Sequence, residues 1–166
     1  MKSYVIVGVM PGQPDTVVLE AAVIAGRFQA ELVCATVDVG RYLVDEFADG
    51  SIMSLPIDPD SLDVDDEGFP MALRTHLTTL LEGHSVAWST RAAAGDPARA
   101  LSHIADTLDA TMIVVGTRDR GVRAGLQEFF GGSVAVHLAH HQHRPVLIIP
   151  LAPVDFREEL PWEPRE

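Results

Sequence analysis

The chain has 166 residues, 47% of them apolar and 22% charged, which fits one globular domain that buries its own core and excludes a disordered or fibrous chain. Lys and Arg number 12 against 24 Asp and Glu, a net charge of −12, which excludes nucleic acid and an anionic membrane surface as main partners. No apolar run reaches the ~18 residues of a membrane span, and the single Cys34 can form no internal disulfide, so the expected compartment is the cytoplasm.

The amino end runs directly into an apolar stretch, Tyr4 to Val9, too short for a signal-peptide core and expected as a strand. Pro14-Asp15-Thr16 then opens a helix whose stripe is Val17, Val18, Ala21, Ala22, Ala25 and Phe28, closing near Gly26. Leu32 to Val37 is the second strand, with Cys34 expected as an inert core residue. From Gly40 to Pro70 the rhythm breaks. A short helix is expected over Arg41 to Ala48, then a solvated acidic loop holding Asp58, Asp60, Asp63, Asp65, Asp66 and Glu67. The start of a calcium loop over Asp63 to Gly68 fails at its twelfth position, which is Arg74.

A helix from Pro70 to about Leu81 leads to a strand over Ser85 to Ala92, whose alternation suits a sheet edge. Asp96-Pro97 is a strong helix start, with Ala98, Leu101, Ile104, Ala105 and Leu108 as its apolar stripe. Met112 to Val115 and Val146 to Ile149 are further strands, and Ser133 is expected to cap a helix running through His137 toward Gln142. The four short runs at 4, 32, 112 and 146 are apolar on both faces, as in parallel strands covered by helices. Alternating strands and helices give an α/β domain of five parallel strands, with its domain over residues 1–152 and an extended tail over 153–166.

In open α/β sheets ligands lie beyond the carboxyl ends of the strands, where the strand order reverses. The walls of such a site here are Val9 to Gln13, Thr36 to Asp38 and Gly116 to Ser133. Gly131 and Gly132 let a ligand approach the backbone, and Ser133 at a helix start suits a phosphate. Arg118, Arg120 and Arg123 place three of the 12 basic residues on one loop, a local reversal of sign in an acidic chain.

Two segments carry a resemblance. Gly95-Asp96-Pro97-Ala98-Arg99-Ala100-Leu101 is followed by Met112 to Gly116, Thr117 and Arg118; Gly131-Gly132-Ser133-Val134 is followed by Arg144-Pro145-Val146-Leu147-Ile148-Ile149-Pro150. In this order they resemble the carboxyl half of the universal stress protein family, and the amino end fits the same family over about residues 3–150. The resemblance implies an open five-stranded parallel sheet of order 3-2-1-4-5 with helices on both faces, adenine nucleotide alpha hydrolase-like. It implies a non-enzymatic stress-response or regulatory protein, with no catalytic residue, acting as a homodimer through Val146 to Ile149.

It also implies an adenine-nucleotide site, for ATP or AMP, at Gly116, Thr117, Arg118, Gly131, Gly132 and Ser133. That site is degenerate here. The nucleotide-binding branch carries Gly, two residues, Gly, nine residues, then Gly-Ser or Gly-Thr. Gly116 and Gly132-Ser133 match its ends, but Asp119 replaces the second glycine and the loop runs three residues longer. In the other frame, Gly121 to Gly131, Arg118 replaces the first glycine and Gly132 the final hydroxyl residue. Met10 stands where the family's adenine-contacting Asp would be. Two alternatives stay open: slow ATP hydrolysis using Asp119 or Asp38, and a nucleotide-free interaction module.

His137, His140, His141 and His143 crowd one segment. His137 and His141 share a helix face, but no third ligand accompanies them, so a polar face is expected rather than a metal site.

Overall fold

The computed structural model describes residues 2–58, 60, 68–117 and 132–151. Strand β1, Tyr4–Gly8, is followed by helix α1, Thr16–Arg27, and strand β2, Glu31–Asp38. Strands β3, Arg41–Glu46, and β4, Ile52–Pro56, precede helix α2, Met71–Leu81. Strand β5, Trp88–Ala94, helix α3, Pro97–Thr107, and strand β6, Met112–Gly116, come next; helix α4, Gly132–His141, and strand β7, Val146–Ile149, follow.

The main sheet has the order β5-β2-β1-β6-β7, and every pair in it is parallel. Counting parallel strands alone, this is the expected order 3-2-1-4-5. Strand β1 lies at the centre because both of its faces are apolar: Val5, Ile6 and Val7 are all fully buried. Val5 and Val7 face one core with Val17, Ala21, Ala25 and Leu77 from α1 and α2. Ile6 faces the other, with Leu101 and Ala105 from α3 and Leu138 from α4. Cys34 is buried in the first of these cores, and burial pushes its thiol up to about 12, which keeps it unreactive.

Helix α3 starts as its sequence demands. The Asp96 carboxylate accepts the Arg99 N–H at 2.8 Å, and Pro97 fills the first helical position. At α1, Asp15 occupies the corresponding position without capping; its carboxylate instead shares a hydrogen bond with His76 of α2 at 2.6 Å. Before β7, the buried Arg144 guanidinium donates to the Ala110 carbonyl at 2.7 Å and pairs with Asp106.

The stretch after β2 departs from expectation. Arg41 to Ala48 is not a helix: β3 pairs antiparallel with β4 through Tyr42 with Leu55 and Leu43 with Ser54. Tyr42-Leu43-Val44 favours extended backbone, and Asp49-Gly50 is a hairpin turn pair. Gly50 takes φ +79°, and the Asp49 carboxylate accepts both the N–H and the hydroxyl of Ser51. The acidic stretch is therefore a hairpin as far as Pro56, while its 61–67 portion lies outside the described residues. Phe28, expected on the α1 stripe, sits past the helix end and is exposed. The edge strand begins at Trp88 rather than Ser85. Among the described residues, no helix is long and apolar enough to cross a membrane. The tail from residue 152 lies outside them.

Candidate functional site

The strand order reverses between β1 and β6, whose Val7 and Val114 are direct neighbours. Three chain ends meet beyond the carboxyl ends of these strands. After β1, Met10 to Gln13 closes a tight turn: the Gln13 N–H donates to the Met10 carbonyl at 3.2 Å, and the Met10 N–H reaches Gln13 Oε1 at 3.3 Å. Gly12 takes φ +77° within it. After β2, the Asp38 carboxylate accepts the Gly40 N–H, and its carbonyl accepts the Gly95 N–H. Asp38 is thus engaged in holding the entry to the hairpin and the exit from β5.

Gly116 ends β6 at a point of close approach. A Cβ added there would lie 2.9 Å from Val17 Cγ2, 3.1 Å from Leu151 Cδ1 and 3.2 Å from Gln13 Nε2. Any side chain would have to displace the side chain of Val17, with Leu151 and Gln13 giving by a few tenths of an ångström. The next residue, Thr117, continues the contact to that chain. Its N–H donates to the Ile149 carbonyl, and its hydroxyl oxygen accepts the Leu151 N–H, both at 2.8 Å. Because the hydroxyl is used as an acceptor, its proton is left for another partner.

Of the six expected site residues, the structure places Gly116 and Thr117 together at this junction. Gly132 and Ser133 form the first turn of α4, so Ser133 lies inside the helix rather than capping it from outside. Arg118 and Gly131 lie outside the described residues, as do Asp119, Arg120, Gly121 and Arg123. Met10 lies two residues past β1 and carries a thioether, not a carboxylate, on the β1 side of the junction. The His137 and His141 rings stand 6.0 Å apart, edge to face, and no group of three metal-ligating side chains occurs among the described residues.

Sequence reasoning missed a different feature. A cavity of about 1020 Å³ lies between the β3–β4 hairpin, β5 and α3, away from the β1–β6 junction. Its signals were present but separate: the Asp49-Gly50 turn, three consecutive alanines at 92–94, and Arg99 four residues before His103.

Over residues 3–150 the chain matches the sequence model of the universal stress protein family. It is similar to a universal stress protein solved in complex with cAMP, at TM-score 0.58 and 22% identity, covering 91% of this chain and 98% of the other. It is similar to a universal stress protein from Archaeoglobus fulgidus, at TM-score 0.60 and 16% identity, covering 90% and 94%. A universal stress protein family protein from Arabidopsis thaliana with AMP bound gives TM-score 0.53 and 16% identity, covering 95% and 99%. These likenesses show that the chain has the fold of these universal stress proteins, an open parallel sheet with helices. No curated protein sequence matches.

Proposed function

Because the chain belongs to the universal stress protein family over residues 3–150, we propose that it is a non-enzymatic stress-response regulator, a homodimer with a degenerate adenine-nucleotide site. The observation that carries this reading is the junction at the strand-order reversal, where Gly116 lies against Gln13 of the Met10–Gln13 turn and Thr117 bonds to the chain after β7. Two similar structures were solved with cAMP and with AMP. The first turn of α4, Gly132 and Ser133, has backbone N–H groups without intrahelical partners, which suit a phosphate.

The altered residues set the strength. A carboxylate about 4 Å from one phosphate charge costs ~1 kcal/mol in water and ~4 kcal/mol near a protein surface. Asp119 in the glycine position therefore weakens binding by about one to three orders of magnitude. Met10 removes an adenine hydrogen bond worth ~1–3 kcal/mol more. Arg118 and Arg120 offset part of this. Binding of ATP or AMP is expected to be weak and reversible, so the protein responds to nucleotide level rather than retaining nucleotide.

The homodimer is proposed to pair β7 with its copy across a two-fold axis. Strand β7 bonds to β6 on one side, and Leu147 and Ile148 are exposed. A short, apolar, uncharged edge of this kind needs covering.

The test starts from protein freshly purified from cells, assayed for adenine nucleotide after denaturation and then titrated with AMP and ATP by calorimetry. The expected result is no stoichiometric nucleotide, measurable weak binding, and a gain of about tenfold or more in Asp119→Gly. Metal-dependent ATP turnover lost in Asp119→Asn would establish the hydrolase instead. No heat at millimolar ATP in either protein would leave an interaction module.

A further inference from the structure

The cavity beside the hairpin is large for a chain of this size, and it is held open by construction. Its walls are apolar: Leu43, Phe47 and Ile52 from the hairpin, Ala93 from β5, and Ala100 and Ile104 from α3. The hairpin is pinned to the domain at two points. The Arg91 guanidinium of β5 donates to the Asp49 carbonyl in the turn at 2.5 Å, and His103 of α3 shares a hydrogen bond with Glu46 of β3 at 2.5 Å. Between these pins the small side chains of Ala93 and Ala100 leave space that larger residues would fill. Leu43 and Phe47 remain nearly half exposed as a result. A space near 1000 Å³ that combines an apolar surface with several charged groups has the size and character of a small-molecule site.

The polar groups decide which molecule. Five charged or titratable side chains line the cavity: Glu46, Arg91, Asp96, Arg99 and His103. Glu46 is engaged by His103, and the Asp96 carboxylate is engaged by the Arg99 N–H as the α3 cap. Arg91 is tied to the hairpin turn. The Arg99 guanidinium has no hydrogen bond or ion pair with any described residue. Asp96 keeps its charge as a cap, and Arg99 is the lining cation without a hydrogen-bond or ion-pair partner among the described residues; its planar guanidinium suits a carboxylate or sulfonate. The net charge of −12 does not cancel it, since exposed charges beyond ~8 Å are largely screened at physiological salt.

We propose that this cavity is a second ligand site, which takes a small amphipathic organic anion: the apolar body lies against Leu43, Phe47, Ile52 and Ile104, and the acid group meets Arg99. It is independent of the nucleotide reading, since none of its lining residues belongs to the β1–β6 junction.

The probe is anilinonaphthalene sulfonate, titrated into the full chain by fluorescence and displaced with octanoate or octanol. The expected result is one saturable dye site per chain, which octanoate empties at a concentration about tenfold lower than octanol does. Arg99→Met removes that preference and leaves the thermal midpoint in place, because its guanidinium has no described partner. Ala100→Leu, on the helix surface lining the cavity, weakens the dye by about tenfold or more. Equal displacement by octanoate and octanol overturns the proposal. So does dye binding that ignores both substitutions, or displacement of the dye by AMP, which would place it at the nucleotide junction.

Discussion

The two edges of the main sheet are treated in opposite ways. At the β5 edge, seven residues are all half-buried, and the chain's own β3–β4 hairpin lies beside them. Arg91 fastens that hairpin, and Gly50 makes room: a Cβ there would lie 1.8 Å from the guanidinium. At the β7 edge, four apolar residues have β6 on one side, and Ile148 is 47% exposed. One edge is covered in cis by an element that itself leaves a cavity; the other is left in a form suited to pairing in trans. The lesson is that an edge strand can be protected without adding another strand to the sheet, and that doing so creates a new surface.

The sharpest way to break this contrast is to charge the β7 edge. Ile148→Lys places an ammonium twice in a two-fold seam. It is expected to weaken the proposed dimer by ~4 kcal/mol, about a thousandfold, read as a fall to monomer mass in sedimentation. A wild-type chain that sediments as a monomer would remove the trans half of the comparison, and an unchanged dimer would move the interface elsewhere.

Loosening the covered edge has a smaller expected effect. Gly50→Ala strains a residue at φ +79° and displaces Arg91 from the Asp49 carbonyl. A loss of about 1–2 kcal/mol is expected in urea denaturation. Amide exchange should quicken in β3 and β4 and stay as it was in β7. Equal quickening at both edges would mean that the hairpin and the sheet open as one unit.

The smallest effect concerns pH at the start of β2, beside β5. Burial tends to raise the Glu31 carboxyl, but hydrogen bonds from Lys2 and Ser89, with the charges of Lys2 and Arg91, outweigh it and hold it below its ordinary 4.5. A carboxyl with a lowered folded value adds stability above the ordinary range and loses it as pH falls through the folded value. Glu31→Gln should therefore flatten the loss of stability below about pH 4.5, by less than ~1 kcal/mol because the Lys2 partner is exposed. The same acid slope in wild type and variant would show that other carboxylates govern it.

The elements most legible in the sequence are those with one dominant signal. Val5-Ile6-Val7 and Ile113-Val114 are apolar on both faces, and they became the buried centre of the sheet. Asp96-Pro97 announced α3 through local chemistry, and the cap formed as expected. The helix expected over Arg41 to Ala48 is a hairpin strand instead, because Tyr42-Leu43-Val44 favours extended backbone and Asp49-Gly50 supplies the turn. At the candidate site, Gly116 was legible as a motif glycine. Its contact with Leu151 was not, since that depends on where the chain goes after β7.

By itself, the residue pattern determined the alternating strands and helices of a parallel sheet, while the strand order was carried by the family resemblance. Burial on two faces and helix starts are written in neighbouring residues, so short-range pattern suffices. The tertiary structure alone decided that the hairpin lies against the β5 edge and that a cavity remains beneath it. That arrangement rests on the Glu46–His103 and Asp49–Arg91 bonds, whose partners are 57 and 42 residues apart. No local pattern encodes such distances, because each partner acquires its meaning from an element that folds elsewhere.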